Sequence, residues 1–247
     1  MPRASSRPVV PSRVTAVDRC AASLRDRILG GELRPGSRLP PERDLSRSLG
    51  VTRVTLRSAL SRVSTERLVT VRHGSGYEVR DWRLEAGLDR LLDLARLRHG
   101  RELAVFIEDV LELRRAVVRG VLVHLSTGVA PEATRAIDQA IDALADLVAA
   151  GAAPRRLVDA DLAVLRTIVT ATGSAVYSLC LNSIALLLSE LPRVRRAFYQ
   201  EAVEVVLGWR LFRAWLDAPE PEGIDTFVSL LAALDARAVA RLARRAH

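Results

Sequence analysis

The 247-residue sequence contains no lysine, so all 37 of its basic side chains are arginine. Aromatic residues make up only 4% of the chain, and a core must therefore be built from Leu, Val, Ala and Ile. Two cysteines, Cys20 and Cys180, stand far apart. That spacing suits neither a zinc cluster nor a disulfide framework and fits a reducing compartment, so a cytoplasmic location is expected. Histidine occurs four times, at His73, His99, His124 and His247, too sparsely for a site built from several imidazoles. The N-terminus lacks the apolar stretch of a secretion signal. The longest apolar run, Val176–Leu188, is broken by Ser178, Asn182 and Ser183 and is too short to span a bilayer, so no membrane partner is expected.

The charge that is present lies unevenly. Residues 1–80 hold 16 Arg against 7 acidic residues, whereas residues 81–247 hold 21 against 22. The net charge of +8 thus sits in the first third. A basic segment joined to a neutral one implies a polyanion-binding module attached to a second module of another kind.

Punctuation along the chain supports the division. Residues 1–12, MPRASSRPVVPS, have the composition of a disordered arm. Residues 13–80 form the expected first domain. Val17, Ala21, Leu24 and Ile28 recur at helical spacing, and Gly30-Gly31 ends that helix. Pro40-Pro41 opens a second helix that carries Leu45 and Leu49 and stops at Gly50. Thr52 is placed to cap a third, which runs to about Thr65 with Leu56, Leu60 and Val63 on its buried face. The period then changes to alternation, giving two strands at 68–71 and 77–79 around His73-Gly74-Ser75-Gly76. Three helices followed by a hairpin is the order of a winged helix-turn-helix.

Beyond Arg80 the helical period returns in about seven segments, 84–98, 102–127, 131–150, 154–171, 175–190, 193–216 and 224–245, separated by Gly and Pro. The fold class is therefore mainly α, with residues 81–247 an antiparallel helical bundle. No Ser–His–acid set, phosphate-cradling loop or paired carboxylate suggests an enzyme there. Glu108, Asp109 and Glu112 share one helix face, as a solvated patch or as partners of Arg115.

In a helix-turn-helix the third helix enters the major groove by its N-terminal end, here VTRVTLRS. Arg53 and Arg57 project from one face beside Thr55, and Thr52 with the first-turn N–H groups favours phosphate. Arg43 approaches the same groove edge. His73 and Gly74 at the hairpin tip are placed for the minor groove.

The segment LPPERDLSRSLGVTRVTLRSAL, continuing through RLVTVRHGSGYEV, resembles the DNA-binding signature of the GntR regulators. GLDRLLDLARLRH and DADLAVLRTIVTATGSAVYSLCLNSI resemble the fatty-acid-responsive, FadR-type branch. The resemblance implies a homodimer on a short inverted repeat of double-stranded DNA. It places base and phosphate contacts at Arg43, Thr52, Arg53, Thr55, Arg57, His73 and Gly74. Val54 departs from the branch, which has a polar Thr there, so half-site preference is expected to differ at one base.

Many helical-domain members of the family bind a metal through one Asp and three His. Asp161 keeps that carboxylate position, but the His expected four residues on is Leu165, so no metal or other cofactor is expected. The resemblance then points to an apolar tunnel for a long-chain acyl-CoA effector, drawing on Asp161, Leu165, Ile168, Leu181 and Leu188. The last helix is shorter than in the branch and lacks residues that help bind the coenzyme. A small carboxylate or sugar acid is the alternative effector, and a ligand-insensitive architectural DNA-binding protein the alternative class.

Overall fold

The computed structural model describes residues 14–72, 74 and 76–244. The arm expected at 1–12 lies outside them. The chain forms two compact units, Met1–Gly87 and Leu88–His247.

In the first unit, α1 spans Ala16–Leu29 and is fixed at its start by a reciprocal cap. The Asp18 N–H donates to the Thr15 hydroxyl oxygen at 3.1 Å, and the Thr15 N–H donates to the Asp18 carboxylate at 2.8 Å. Cys20, Ala21, Leu24 and Ile28 face the core. The helix ends in a turn where Gly31, at φ 81°, takes the left-handed conformation expected for this glycine pair. Helix α2 runs over Glu42–Ser48 and α3 over Arg53–Thr65. Leu56, Ala59, Leu60 and Val63 of α3 are fully buried, and α3 packs against α1. Ion pairs join the same two helices. The Arg25 fork donates to Glu66 at 2.7 and 2.5 Å, and Arg62 pairs with Asp18.

Strand β1, Val69–Arg72, pairs antiparallel with β2, Gly76–Val79, with Val69 opposite Val79 and Arg72 opposite Gly76. The linker between α1 and α2 completes the wing, since the Leu39 N–H donates to the Tyr77 carbonyl and the Val79 N–H to the Ser37 carbonyl, each at 2.9 Å. A short α4, Trp82–Glu85, follows, capped by Asp81. Arg80 Nε donates to Glu85 at 2.8 Å and folds this turn back onto the unit.

The second unit is all helical among its described residues. Its helices are α5 Leu91–Arg96, α6 Gly100–Leu125, α7 Pro131–Ala149, α8 Pro154–Ala171, α9 Ala175–Glu190, α10 Pro192–Phe198, α11 Ala202–Asp217 and α12 Pro221–Arg244. Prolines open α7, α8, α10 and α12, where a missing N–H is harmless. The central α6 buries Leu103, Ile107, Leu111, Val118 and Leu122 and packs along α12, while α7 packs on α8.

Two expected helices are each broken. The segment 84–98 divides into α4, a 3₁₀ turn at Leu88–Arg90 and α5, because the chain leaves helical geometry at Ala86, φ −81° and ψ 147°. The segment 193–216 divides into α10, a 3₁₀ turn at Tyr199–Glu201 and α11. Arg115, one expected partner for the acidic face of α6, pairs instead with Asp235 of α12, and Glu108, Asp109 and Glu112 stay exposed. Among the described residues no single helix is long and apolar enough to cross a membrane.

Candidate nucleic-acid interface and helical-unit cavity

The N-terminal end of α3 is organised by Thr52. Its hydroxyl oxygen accepts from the Thr55 N–H at 3.1 Å and lies 2.9 Å from the Thr55 hydroxyl. This satisfies one of the orphan N–H groups of the first turn and leaves the others open to an anion. Arg53 and Arg57 are exposed beyond the cap, and Val54 between them is 77% exposed. Arg57 Nε donates to Glu42 of α2 at 2.8 Å, so its guanidinium is already aligned along the face. Arg43 lies on α2 near Asp44, at 3.4 Å. Gly74 sits at φ 75° with open space around a built Cβ, so conformation rather than room demands glycine there. His73 lies outside the described residues. Glu42, the aligning group for Arg57, was not singled out from the sequence. Its only signal was its place in the PPER segment that opens α2.

In the second unit, Asp161, Leu165, Ile168, Leu181 and Leu188 all line one cavity of about 120 Å³. The three leucines and Ile168 come from α8 and α9, which turn one face inward at helical spacing. Phe212 and Phe227 also line the cavity, their ring centroids 5.8 Å apart. Asp161 is one of the polar groups in its wall. One carboxylate oxygen accepts from Trp209 Nε1 at 2.5 Å and the other from the Tyr199 hydroxyl. Burial pushes the Asp161 carboxyl above the usual carboxylate range, against these two hydrogen bonds and the nearby Arg114 guanidinium. Burial and the neighbouring carboxylate push the Tyr199 hydroxyl well above its ordinary value. Arg114 also lines the cavity, and its Nε is buried without a hydrogen-bond partner among the described residues. Its Nη2 donates to Asp235 at 2.5 Å, and Arg115 Nη1 donates to the same carboxylate at 2.7 Å. Arg114, Tyr199, Trp209 and Asp235 were missed from the sequence, because their partners lie 38 to 121 residues away and leave no local pattern.

Among the described residues no group of three His, Cys, Asp or Glu is arranged to hold a metal ion. An Asp161→Asn variant is expected to keep its stability at neutral pH to within about 1 kcal/mol, because an amide oxygen still accepts from Trp209 and the Tyr199 hydroxyl can turn to accept from the amide. Asp161→Leu leaves both donors stranded and is expected to cost roughly 2–6 kcal/mol, at 1–3 per group. Urea unfolding of the two variants checks this. The raised Asp161 carboxyl implies that wild-type loses stability as pH rises from the unfolded carboxylate range through the folded value. The Asn variant should lack that slope.

A winged helix with an arginine-bearing, capped reading helix, joined to a helical unit with an internal cavity, defines a DNA-binding transcriptional regulator. Residues 16–79 match the family described as "Bacterial regulatory proteins, gntR family". Over 192 residues the chain is 31% identical to the fatty acid metabolism regulator protein of Edwardsiella ictaluri, covering 74% of this chain and 77% of that protein. The regulator of the same name from Cronobacter sakazakii is 31% identical over 177 residues, 71% of this chain and 70% of the relative. An uncharacterised HTH-type transcriptional regulator of Mycobacterium tuberculosis is 51% identical over 71 residues, 29% of each chain. The solved structure of Lar, described as controlling expression of the Listeria monocytogenes agr system, shares the fold at TM-score 0.57 and 13% identity, covering 95% of this chain and all of that one. The chain belongs to the GntR family of bacterial regulatory proteins, and within it resembles the FadR-type regulators.

Proposed function

We propose that this GntR regulator acts as a homodimer that reads a short inverted repeat and changes its operator affinity when a long-chain acyl-CoA enters the helical unit. In this reading residues 13–80 are the DNA reader and 81–247 the dimerising, ligand-binding domain, and the protein catalyses no reaction. Arg43, Thr52, Arg53, Thr55, Arg57, His73 and Gly74 contact the duplex. Arg53 and Arg57 supply base recognition, since a guanidinium fork matches guanine O6 and N7. Thr52 and Thr55 sit where the α3 N-terminus meets phosphate.

The observation that carries the effector assignment is the convergence of Asp161, Leu165, Ile168, Leu181 and Leu188 on one cavity. The name shared by the two enterobacterial relatives supports the acyl class. At about 120 Å³ the cavity is smaller than the roughly 300–1,000 Å³ of ordinary ligand pockets. A long acyl chain therefore enters only if the walls move apart, and that movement is the means by which binding in one unit alters DNA affinity. The same volume favours the second reading, a small carboxylate that fits without such movement.

A fluorescence-anisotropy titration tests both. The protein is bound to labelled duplex from its own upstream region at fixed salt, and palmitoyl-CoA, free CoA or a small carboxylate is added. Release by palmitoyl-CoA at low micromolar concentration, with free CoA inert, is the expected result. Operator binding that no acyl-CoA changes would remove the acyl assignment, and release by a carboxylate alone would establish the second reading.

A further inference from the structure

Val54 occupies the second position of α3 and is 77% exposed, although it is branched and apolar. Nothing among the described residues of the first unit gives it a packing role. Its neighbours Arg53 and Arg57 are exposed, and the buried face of the helix is made by Leu56, Ala59, Leu60 and Val63. Helix propensity gives no reason for it either, since Val is a poorer helix former than Ala by a few tenths of a kcal/mol. An exposed hydrophobe at the tip of a reading helix, flanked by guanidiniums, is placed for a surface that becomes buried only on binding.

The chemistry available there is narrow. The isopropyl group neither donates nor accepts a hydrogen bond, so it discriminates between bases only by apolar contact. In the major groove the one apolar group on a base edge is the thymine C5-methyl. Val54 and Arg57 are three residues apart and share a helix face. Three residues advance a helix by about 4.5 Å, against about 3.4 Å between base pairs, so the two side chains reach positions one to two base pairs apart.

We infer that Val54 is a specificity-determining residue that reads a thymine methyl in each half-site, one to two base pairs from the base contacted by Arg57. This rests on the assignment of α3 as the DNA-reading helix. It adds a base identity at a position whose side chain can make no hydrogen bond.

The test separates the two claims. Duplexes that bind the full-length protein are selected from a random-sequence pool, and each thymine of the selected site is replaced in turn by deoxyuridine, which removes only the methyl. For wild-type protein one substitution per half-site is expected to weaken binding about fourfold, the equivalent of roughly 0.8 kcal/mol for one buried methyl group. Replacement in both half-sites together should weaken it by about the square of that factor. With Val54→Ala the thymine–uracil difference at that position should shrink to within twofold, while the rest of the selected sequence is still preferred. The variant removes no buried contact, so its thermal unfolding should match wild-type. No deoxyuridine position with an effect, or an effect that persists undiminished in Val54→Ala, overturns the assignment of Val54 while leaving the reading helix intact. A pool from which no sequence is enriched overturns the reading-helix assignment and Val54 with it.

Discussion

Replacing Arg53 or Arg57 with Ala is expected to weaken operator binding by a factor between about 30 and 10⁴. A guanidinium paired bidentately with guanine contributes roughly 1–3 kcal/mol of discrimination, and a homodimer loses it at both half-sites. The two variants should not behave alike. Arg53 has no acidic partner among the described residues, so its removal deletes one contact and changes little else. Arg57 holds Glu42 at 2.8 Å, and without it that carboxylate faces the duplex unpaired. Arg57→Ala is therefore expected to be the more damaging, even on non-operator DNA. The double variant Glu42→Gln/Arg57→Ala should recover the non-specific affinity but not the preference for the operator. Anisotropy titrations on operator and scrambled duplexes, repeated over a range of salt, check this. Equal losses on both duplexes for Arg53→Ala would reassign that residue to phosphate.

Asp235→Ala is expected to destabilise the helical unit by about 3–5 kcal/mol, the usual consequence of removing one member of a buried ionic cluster. Asp235 is 2% exposed and is the shared acceptor for Arg114 and Arg115. Their side chains are themselves only 15% and 21% exposed. Without the carboxylate two guanidiniums on adjacent positions of α6 repel in a poorly hydrated space, and of the polar ties between α6 and α12 only exposed ones such as Arg119–Asp225 remain. Asp235→Asn keeps an acceptor oxygen and should fall between wild-type and the Ala variant. The apolar replacement Arg114→Met/Arg115→Met/Asp235→Leu should regain most of the loss, because paired charges and their hydration nearly cancel. Urea unfolding followed by fluorescence in a Trp82→Phe background, where Trp209 and Trp215 remain, reports on this unit. A shift below about 1 kcal/mol for Asp235→Ala would mean that water reaches the cluster and screens it.

The parts of the molecule that were legible in the sequence obey short-range rules. Thr52 ahead of an apolar i, i+4 stripe marks a capped helix, and the observed α3 begins at Arg53 and ends at Thr65. Proline and glycine gave the starts of α7, α8 and α9 to within a residue, because their backbone preferences act locally. The same rules failed at Tyr199. The pattern of 193–216 reads as one helix, yet the chain turns there while the Tyr199 hydroxyl donates to Asp161, 38 residues away. A bond of that separation has no trace in local periodicity. The candidate site divides in the same manner. Thr52, Arg53, Thr55 and Arg57, the positions expected to contact DNA, lie in the first turns of one helix, as their spacing predicts. The cavity's apolar lining followed from a resemblance, and its polar wall of Arg114, Tyr199 and Trp209 was invisible.

By itself, then, the sequence determined the basic first third, the capped third helix, the wing and the helical character of the remainder. Each depends on composition or on neighbours within about one turn. Tertiary structure alone decided that Asp161 would accept from Tyr199 and Trp209, and that Arg115 would turn from the acidic face of its own helix toward Asp235 on α12. The physical reason is desolvation. A buried charge must find a partner wherever packing brings one within about 3 Å, and packing joins residues without regard to their distance along the chain.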